Sequence, residues 1–267
     1  MRIYIPTKGR IKSQLTVQNI PRAMHHGVTI VCPSTEAFWH KQNHPAVSVL
    51  VQPDDNFGIS AKRHWILEQA SQTGIEKMVM LDDDLRFAVR RSDDTAKFRK
   101  AEPVDVERAF SEMAELLSEE VPHAGFSARG SGIGDAAQRG GWQEGKRMMY
   151  VLGYHVPTVL REAVHGRIST HEDMDVCLQL LTKGFPNLVN FSFVVDQKFG
   201  NAGGCTKERT VEINNADSLK LAELHPGFVR ATEKTYISTA NRVEVVCSWL
   251  KALEYGRAQG DLAQREL

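Results

Sequence analysis

The sequence has little cysteine, and none of it is spaced for metal or disulfide chemistry. Cys32, Cys177, Cys205 and Cys247 are widely separated and form no Cys-x-x-Cys pair, which argues against a zinc site or a disulfide framework. We expect these cysteines to be reduced and structural.

Long apolar runs and an excess of one charge are also missing. No run approaches the roughly 20 residues that span a bilayer, and the N-terminal Met-Arg-Ile-Tyr-Ile-Pro predicts a strand rather than a signal peptide. Lysine plus arginine equals aspartate plus glutamate at 33 each, so overall charge does not indicate a nucleic-acid partner. We expect a monomeric cytoplasmic protein without membrane contact. The balanced overall charge is compatible with a local basic groove on its surface.

Residues 77–86 carry the most informative pattern, an apolar run that ends in three carboxylates. Residues 78–81 predict a strand buried on both faces, and Asp82, Asp83 and Asp84 fall at its C-terminal end, where open α/β sheets bind ligands. Adjacent negative charges repel one another unless a cation compensates them, and Mg²⁺ or Mn²⁺ prefers oxygen ligands. The alternative is a solvated acidic turn.

Strands predicted at 2–6, 29–33 and 47–51 alternate with a helix at 36–43, which favours a parallel sheet within an α/β fold. Thr7, Lys8, Gly9 and Arg10 form a polar loop after the first strand, where a nucleotide would bind. Lys62 and Arg63 occupy the first turn of the next predicted helix, where cations oppose the helix dipole. Their position is explained by a nearby diphosphate or base, or they are simply solvated.

A second acidic cluster opens the helix predicted after Ile168. Glu172, Asp173 and Asp175 are favoured there by the helix dipole alone, but a carboxylate on a rigid helix start also suits general-base work. His225 follows Leu224 at the end of a later predicted helix. A histidine at this position either caps the helix or completes a metal site. A last amphipathic helix is predicted over 243–255.

The order of these motifs resembles the GT-A glycosyltransferases. A narrower similarity, to the phage TET-associated glycosyltransferases, is carried by five segments: residues 3–10, residues 79–87, Glu172-Asp173-Met174-Asp175, Asn201-Ala202-Gly203-Gly204-Cys205 and residues 224–229. The resemblance implies a GT-A (Rossmann-like) fold, with a mostly parallel sheet flanked by helices in a single domain over 1–230. A C-terminal helical extension over 231–267 is expected to pack on it.

The same resemblance implies the roles of the residues. Asp82 and Asp84 would bind Mn²⁺ or Mg²⁺ with His225 as third ligand, and Asp82 or Asp83 would contact the ribose. Asp173 would be the base that Glu172 orients. The nucleotide-sugar donor, expected to be a UDP-sugar, would lie against Thr7, Lys8, Gly9, Arg10, Lys62 and Arg63.

The acceptor implied by the family is 5-hydroxymethylcytosine in DNA, within a phage-infected bacterium. Candidate DNA contacts are Arg90, Arg91, Arg129, Arg139, Trp142, Lys146, Arg147 and Lys207. Trp142 would stack on a base or instead anchor its loop to the core. The alternatives are a metal-dependent nucleotidyltransferase acting on a sugar phosphate, a glycosyltransferase with a non-DNA acceptor, and a non-catalytic DNA-binding domain.

Overall fold

The computed structural model describes residues 1–55, 58–131, 140–197, 210–236 and 239–265. The strands are β1 Arg2–Pro6, β2 Val28–Cys32, β3 Ser48–Val51, β4 Lys77–Leu81, β5 Leu85–Arg90, β6 Phe98–Lys100, β7 His123–Ala128, β8 Trp142–Glu144, β9 Val151–His155, β10 Asn187–Gln197, β11 Val229–Tyr236 and β12 Thr239–Cys247. The helices are α1 Leu15–Asn19, α2 Ser34–Asn43, α3 Ile59–Gln72, α4 Pro103–Leu116, α5 Val156–Glu162, α6 Glu172–Thr182, α7 Val211–Leu224 and α8 Trp249–Arg265.

A ten-stranded sheet in the order β3-β2-β1-β4-β9-β7-β10-β5-β6, with β8 also paired to β10, organises the chain. Strands β3, β2, β1 and β4 are parallel, as the alternating pattern predicted. Beyond them the sheet is mixed, because β9 runs antiparallel between β4 and β7 while β10 is parallel to β7. The predicted α/β sheet with flanking helices is confirmed.

Strand β4 is buried on both faces, as its apolar run predicted. Val79 and Leu81 join a core cluster that includes Phe110 and Met113 of α4. The intervening Met78 and Met80 join the opposite cluster, with residues of α3, α5 and α6. The double burial fixes the strand, so its C-terminal end is a rigid platform for the residues that follow.

The C-terminal segment differs from the expected helical extension. Strands β11 and β12 form an antiparallel hairpin in which Val229 faces Cys247, and the hairpin spans the predicted boundary at residue 230. The helix predicted over 243–255 is therefore wrong in its first part, and α8 begins only at Trp249. Residues 242–247 alternate as a strand does, with Val243 buried and Val246 exposed.

Helix α8 packs against α6 through a third core cluster that contains Leu178, Leu181, Ala252 and Leu253. The two backbones approach closely there because Gly256 faces the backbone of Gly184. Of the helices in the described ranges, none has the length and apolar character that a membrane span requires.

Candidate active site

The three aspartates form the tight connection between β4 and β5, and α1 holds that connection in place. The backbone N–H of Thr16 donates to the carbonyl of Asp83 at 3.2 Å, and the Thr16 hydroxyl accepts from Leu85 N–H at 2.9 Å. Asp83 and Asp84 are buried, at 5% and 6% exposure. A solvated acidic turn is therefore excluded for these two residues.

The loop after β1 wraps around the aspartates. The Thr7 hydroxyl donates to Asp83, and Arg10 forms ion pairs with Asp83 and, at 2.8 Å, with Asp84. Burial raises the pKa of Asp83 to about 6, although the positive charge of Arg10 opposes the increase. Gly9 adopts φ +73°, and its N–H donates to Glu36 at 2.7 Å. Lys8 is half-buried in the same loop.

The two cations at the start of α3 are buried rather than solvated. Lys62 Nζ donates to the carbonyl of Thr7 at 3.2 Å. Arg63 bridges two segments, with Nη2 at 2.9 Å from Oδ1 of Asp82 and Nη1 at 2.5 Å from Oε1 of Glu172. Burial lowers the pKa of Arg63, but the carboxylates of Glu172, Asp82 and Asp173 outweigh burial and raise it above the usual range. These carboxylates explain why cations are tolerated at a helix N-terminus.

The acidic start of α6 therefore lies beside the aspartates that follow β4. Glu172 is buried against Arg63, and Asp173 is half-buried, with its Oδ1 accepting from Met174 N–H at 2.9 Å. A small pocket next to them is lined by Arg63, Tyr154, His165, Glu172 and Asp173. Arg63 thus brings the two acidic motifs into one region of the fold.

His225 lies elsewhere, at the end of α7. Its Nε2 is 2.7 Å from Oδ1 of Asp175, which also pairs with Arg167. Burial raises the pKa of Asp175, but the hydrogen bonds from His225 and Arg167 outweigh burial and lower it below its usual range. His225 therefore links α6 to α7, and the structure does not bring it together with Asp82 and Asp84. Across the described ranges, no three histidine, cysteine or acidic side chains are placed to hold a metal.

The aspartates nevertheless fit a divalent cation. Oδ1 of Asp84 is buried and has no hydrogen-bond partner among the described residues. Ion pairs join four carboxylates, Asp82, Asp83, Asp84 and Glu172, to two arginines, which leaves a formal charge of −2 on these six side chains. Carboxylate oxygens are the ligands that Mg²⁺ and Mn²⁺ prefer.

The predicted DNA contacts fall into two groups. Arg90 and Arg129 both lie over the ring of Phe98, at 4.6 and 5.4 Å from its centre, and Arg91 next to Arg90 is exposed. Half-buried Lys146 and exposed Arg147 precede β9. Arg139, Lys207 and the segment Asn201-Ala202-Gly203-Gly204-Cys205 lie outside the described residues.

Trp142 is held by the protein itself. Its indole N–H donates to Glu112 at 3.2 Å, and its ring centre is 6.0 Å from that of Phe126 in the core. This packing favours the anchoring alternative over stacking on a base.

Sequence reasoning missed three residues that hold the aspartates. Gln197, at the end of β10, donates to Oδ2 of Asp82 at 3.0 Å, Thr16 fixes the connection, and the carbonyl of Tyr150 accepts from Asp82 N–H at 2.9 Å. No local pattern marks them, because their positions follow from strand order.

Comparisons with known proteins identify a family and a similar fold. The family model for TET-associated glycosyltransferases matches residues 1–204, while a comparison with curated proteins gives no match. Among solved structures, mannosyltransferase PcManGT from Pyrobaculum calidifontis, in complex with GDP-Man and Mn²⁺, is similar with a TM-score of 0.50 and 13% identity, over 76% of this chain and 57% of that one. A second, mannose-1-phosphate geranyltransferase from Thermus thermophilus, has a TM-score of 0.40 and 10% identity, over 60% of this chain and 59% of the other.

The match therefore spans less than two thirds of each of these solved chains, and at this identity the similarity to PcManGT shows the fold alone, of the GT-A type. The family match covers most of the sequence and includes both acidic motifs. This chain belongs to the TET-associated glycosyltransferase family.

Proposed function

We propose that this enzyme transfers a sugar from a nucleotide-sugar donor, expected to be a UDP-sugar, to the hydroxymethyl group of 5-hydroxymethylcytosine in DNA. The proposed setting is the cytoplasm of a phage-infected bacterium. One observation carries the proposal: Arg63 contacts both Asp82, after β4, and Glu172, at the start of α6. The carboxylates that bind the donor and the carboxylate that takes the acceptor's proton would then act on one sugar carbon.

The donor end is formed by Asp82, Asp83 and Asp84 and by the loop over residues 7–10. Asp82 and Asp84 would hold Mn²⁺ or Mg²⁺, which when bound neutralises charge on the nucleoside diphosphate. The unpartnered Oδ1 of Asp84 supports this assignment, as does the presence of Mn²⁺ with GDP-Man in PcManGT. Asp82 or Asp83 would also contact the ribose, and Lys8, Arg10 and Lys62 would lie around the nucleotide.

The acceptor end is formed by Asp173. Its carboxylate would take the proton of the acceptor hydroxyl as that oxygen bonds to the sugar C1 and the bond from C1 to the diphosphate oxygen breaks. Glu172, held by Arg63, would orient Asp173 by fixing the first turn of α6. Direct attack by the acceptor predicts inversion at C1.

A DNA acceptor requires the target base to leave the stack or to be reached through the major groove. Exposed Arg91 and Arg147, with Arg90, Arg129 and Lys146, supply positive charge for phosphate contacts. The balanced net charge is compatible with this role, because phosphate contacts require only a local concentration of cations.

The test incubates the protein with 5-hydroxymethylcytosine DNA, MnCl₂ and separate donors that include UDP-glucose and GDP-mannose, followed by mass spectrometry of the nucleosides. We expect one donor to add a hexose or pentose mass to the modified nucleoside, with release of nucleoside diphosphate. Asp84→Ala should abolish the product, whereas Asp261→Ala, at an exposed position on α8, should not. No added sugar with any donor would remove the DNA assignment.

The same assay separates the alternatives. A nucleotidyltransferase would consume a nucleoside triphosphate and release pyrophosphate, and it would leave the DNA mass unchanged. A glycosyltransferase with another acceptor would turn over the donor only when that acceptor replaces DNA. In a non-catalytic DNA-binding domain, Asp84→Ala would not change the amount of sugar added, because the wild type would add none.

A further inference from the structure

The small pocket beside Asp173 lies where two helices begin. Ser60, in the first turn of α3, and Asp173, in the first turn of α6, both line it, together with His165 from the segment between α5 and α6. Arg63 lines the pocket as well, and its Nη2 is 2.9 Å from Oδ1 of Asp82. One wall of the pocket therefore contacts an aspartate that follows β4.

Three of the residues around this pocket have buried polar atoms without a hydrogen-bond partner among the described residues. The atoms are Ser60 Oγ, Arg63 Nε and His165 Nε2, and Arg63 is only 8% exposed. Buried polar atoms are normally hydrogen-bonded, so each exception requires an explanation. Three exceptions around one pocket, contributed by separate segments of the chain, indicate a polar ligand.

The pocket is too small for a ring. Its cavity volume is about 10 Å³, close to the least that one water molecule requires. A hydroxyl group is of that size, whereas a pyrimidine or a sugar ring is far larger. Burial and the neighbouring His64 lower the pKa of His165 to about 4, against the charge of Asp175. The imidazole is therefore neutral at neutral pH, and its Nε2 either donates or accepts one hydrogen bond.

We propose that this pocket binds the hydroxyl oxygen of the acceptor's hydroxymethyl group and that Ser60 and His165 hold this oxygen against Asp173. This inference rests on the proposed function. The proton passes to Asp173, the oxygen bonds to the sugar C1, and the bond from C1 to the diphosphate oxygen breaks with its electron pair on the diphosphate. Because only an oxygen on a slender methylene arm fits, the substrate class is a primary alcohol.

The test removes the hydroxyl from the ligand and from the protein in turn. Duplexes with one 5-hydroxymethylcytosine or one 5-methylcytosine, which lacks the oxygen, are titrated by fluorescence anisotropy. The wild type should bind the first at least about tenfold more tightly, and Ser60→Ala should lower this ratio about fivefold, the effect of one hydrogen bond. Affinity for the 5-methylcytosine duplex should not change. Ser71→Ala, at an exposed position of the same helix, should keep the wild-type ratio.

A second variant fills the pocket. Ser60→Val replaces the hydroxyl by two methyl groups, so kcat/KM on 5-hydroxymethylcytosine DNA should fall about 10²-fold through misplacement of the acceptor oxygen. The donor is UDP-glucose or GDP-mannose, whichever the wild type transfers, and its dissociation constant with MnCl₂ should stay within about twofold by calorimetry. Ser71→Val is the control, and unfolding midpoints check that each variant is folded.

The outcomes separate this inference from the proposed function. Equal affinity of the wild type for the two duplexes, or an unchanged ratio in Ser60→Ala, would overturn the inference, while sugar transfer to DNA would still support the proposed function. A normal kcat/KM in folded Ser60→Val would also overturn it, and weaker donor binding would assign the pocket to the donor instead. If the wild type transfers no sugar to DNA, the proposed function and this role of the pocket fail together.

Discussion

Arg63 Nη2 lies 2.9 Å from Oδ1 of Asp82, across the end of the buried strand β4. The other arm of the same guanidinium reaches Glu172, 109 residues further along the chain. A planar fork can hold two carboxylates at fixed positions, which a lysine ammonium cannot do as well. This contact brings the two acidic motifs together in the fold.

Replacing Arg63 should destabilise the fold as well as the site. Arg63→Ala leaves Asp82 and Glu172 without this partner in a buried region, which typically costs about 3–5 kcal/mol. Arg63→Lys should give an intermediate loss, because one ammonium cannot span both carboxylates. Urea unfolding measures the effect, with Arg161→Ala on the surface as control, expected below about 1 kcal/mol. A free energy of unfolding for Arg63→Ala equal to that of the wild type would contradict the bridge.

Substitutions of Asp173 and of Glu172 should differ in their effect on the free energy of unfolding. In Asp173→Asn the amide oxygen still accepts from Met174 N–H, so folding should be unchanged while kcat falls by about 10²–10⁴-fold through loss of the proton acceptor. Glu172→Gln weakens the ion pair with Arg63 and should lower both kcat and the free energy of unfolding. Initial rates on 5-hydroxymethylcytosine DNA and urea unfolding give both quantities. A normal kcat in Asp173→Asn would exclude it as the base.

His123 should make the protein sensitive to acid. It is fully buried on β7, stacked on Tyr154 with ring centres 4.8 Å apart, and burial lowers its pKa to about 3. The unfolded chain takes up a proton below the ordinary value near 6.5, whereas the folded protein does not. Stability from this residue is therefore complete above about pH 6.5 and is lost as the pH falls toward 3.

Between pH 7 and pH 5 the loss attributable to His123 should be about 2 kcal/mol. His123→Phe keeps the ring stack and removes the titration. Between pH 7 and pH 5, the free energy of unfolding of this variant should therefore fall by about 2 kcal/mol less than that of the wild type. His26→Gln, at an exposed position, should leave the pH dependence unchanged. Parallel curves for His123→Phe and the wild type would refute the assignment.

Arg147 should contribute to DNA binding through charge alone. It is exposed, so Arg147→Gln should weaken binding to 5-hydroxymethylcytosine DNA and reduce the slope of log K against log salt by about 0.9, one phosphate contact. Affinity for UDP-glucose should not change. Lys220→Gln, at an exposed position of α7, is the matched control. A salt slope identical to that of the wild type would remove Arg147 from the DNA interface.

Local sequence patterns determined the strands and helices and the charged residues at their ends. The apolar run before Asp82 predicted a doubly buried strand, and the acidic start of α6 predicted a helix with carboxylates in its first turn, because periodicity and helix dipoles act over a few residues. The same patterns identified Lys62 and Arg63 as unusual cations at a helix start. They could not tell which carboxylates would pair with them.

The tertiary structure decided the partners. His225 contacts Asp175 rather than the aspartates after β4, Trp142 packs on the core, and β12 alternates as a strand where a helix was expected. Tyr150 reaches Asp82 only because β9 inserts antiparallel beside β4. The physical reason is the same in each case: a side chain's neighbours across a sheet are set by strand order and burial, and these depend on the whole chain rather than on its local sequence.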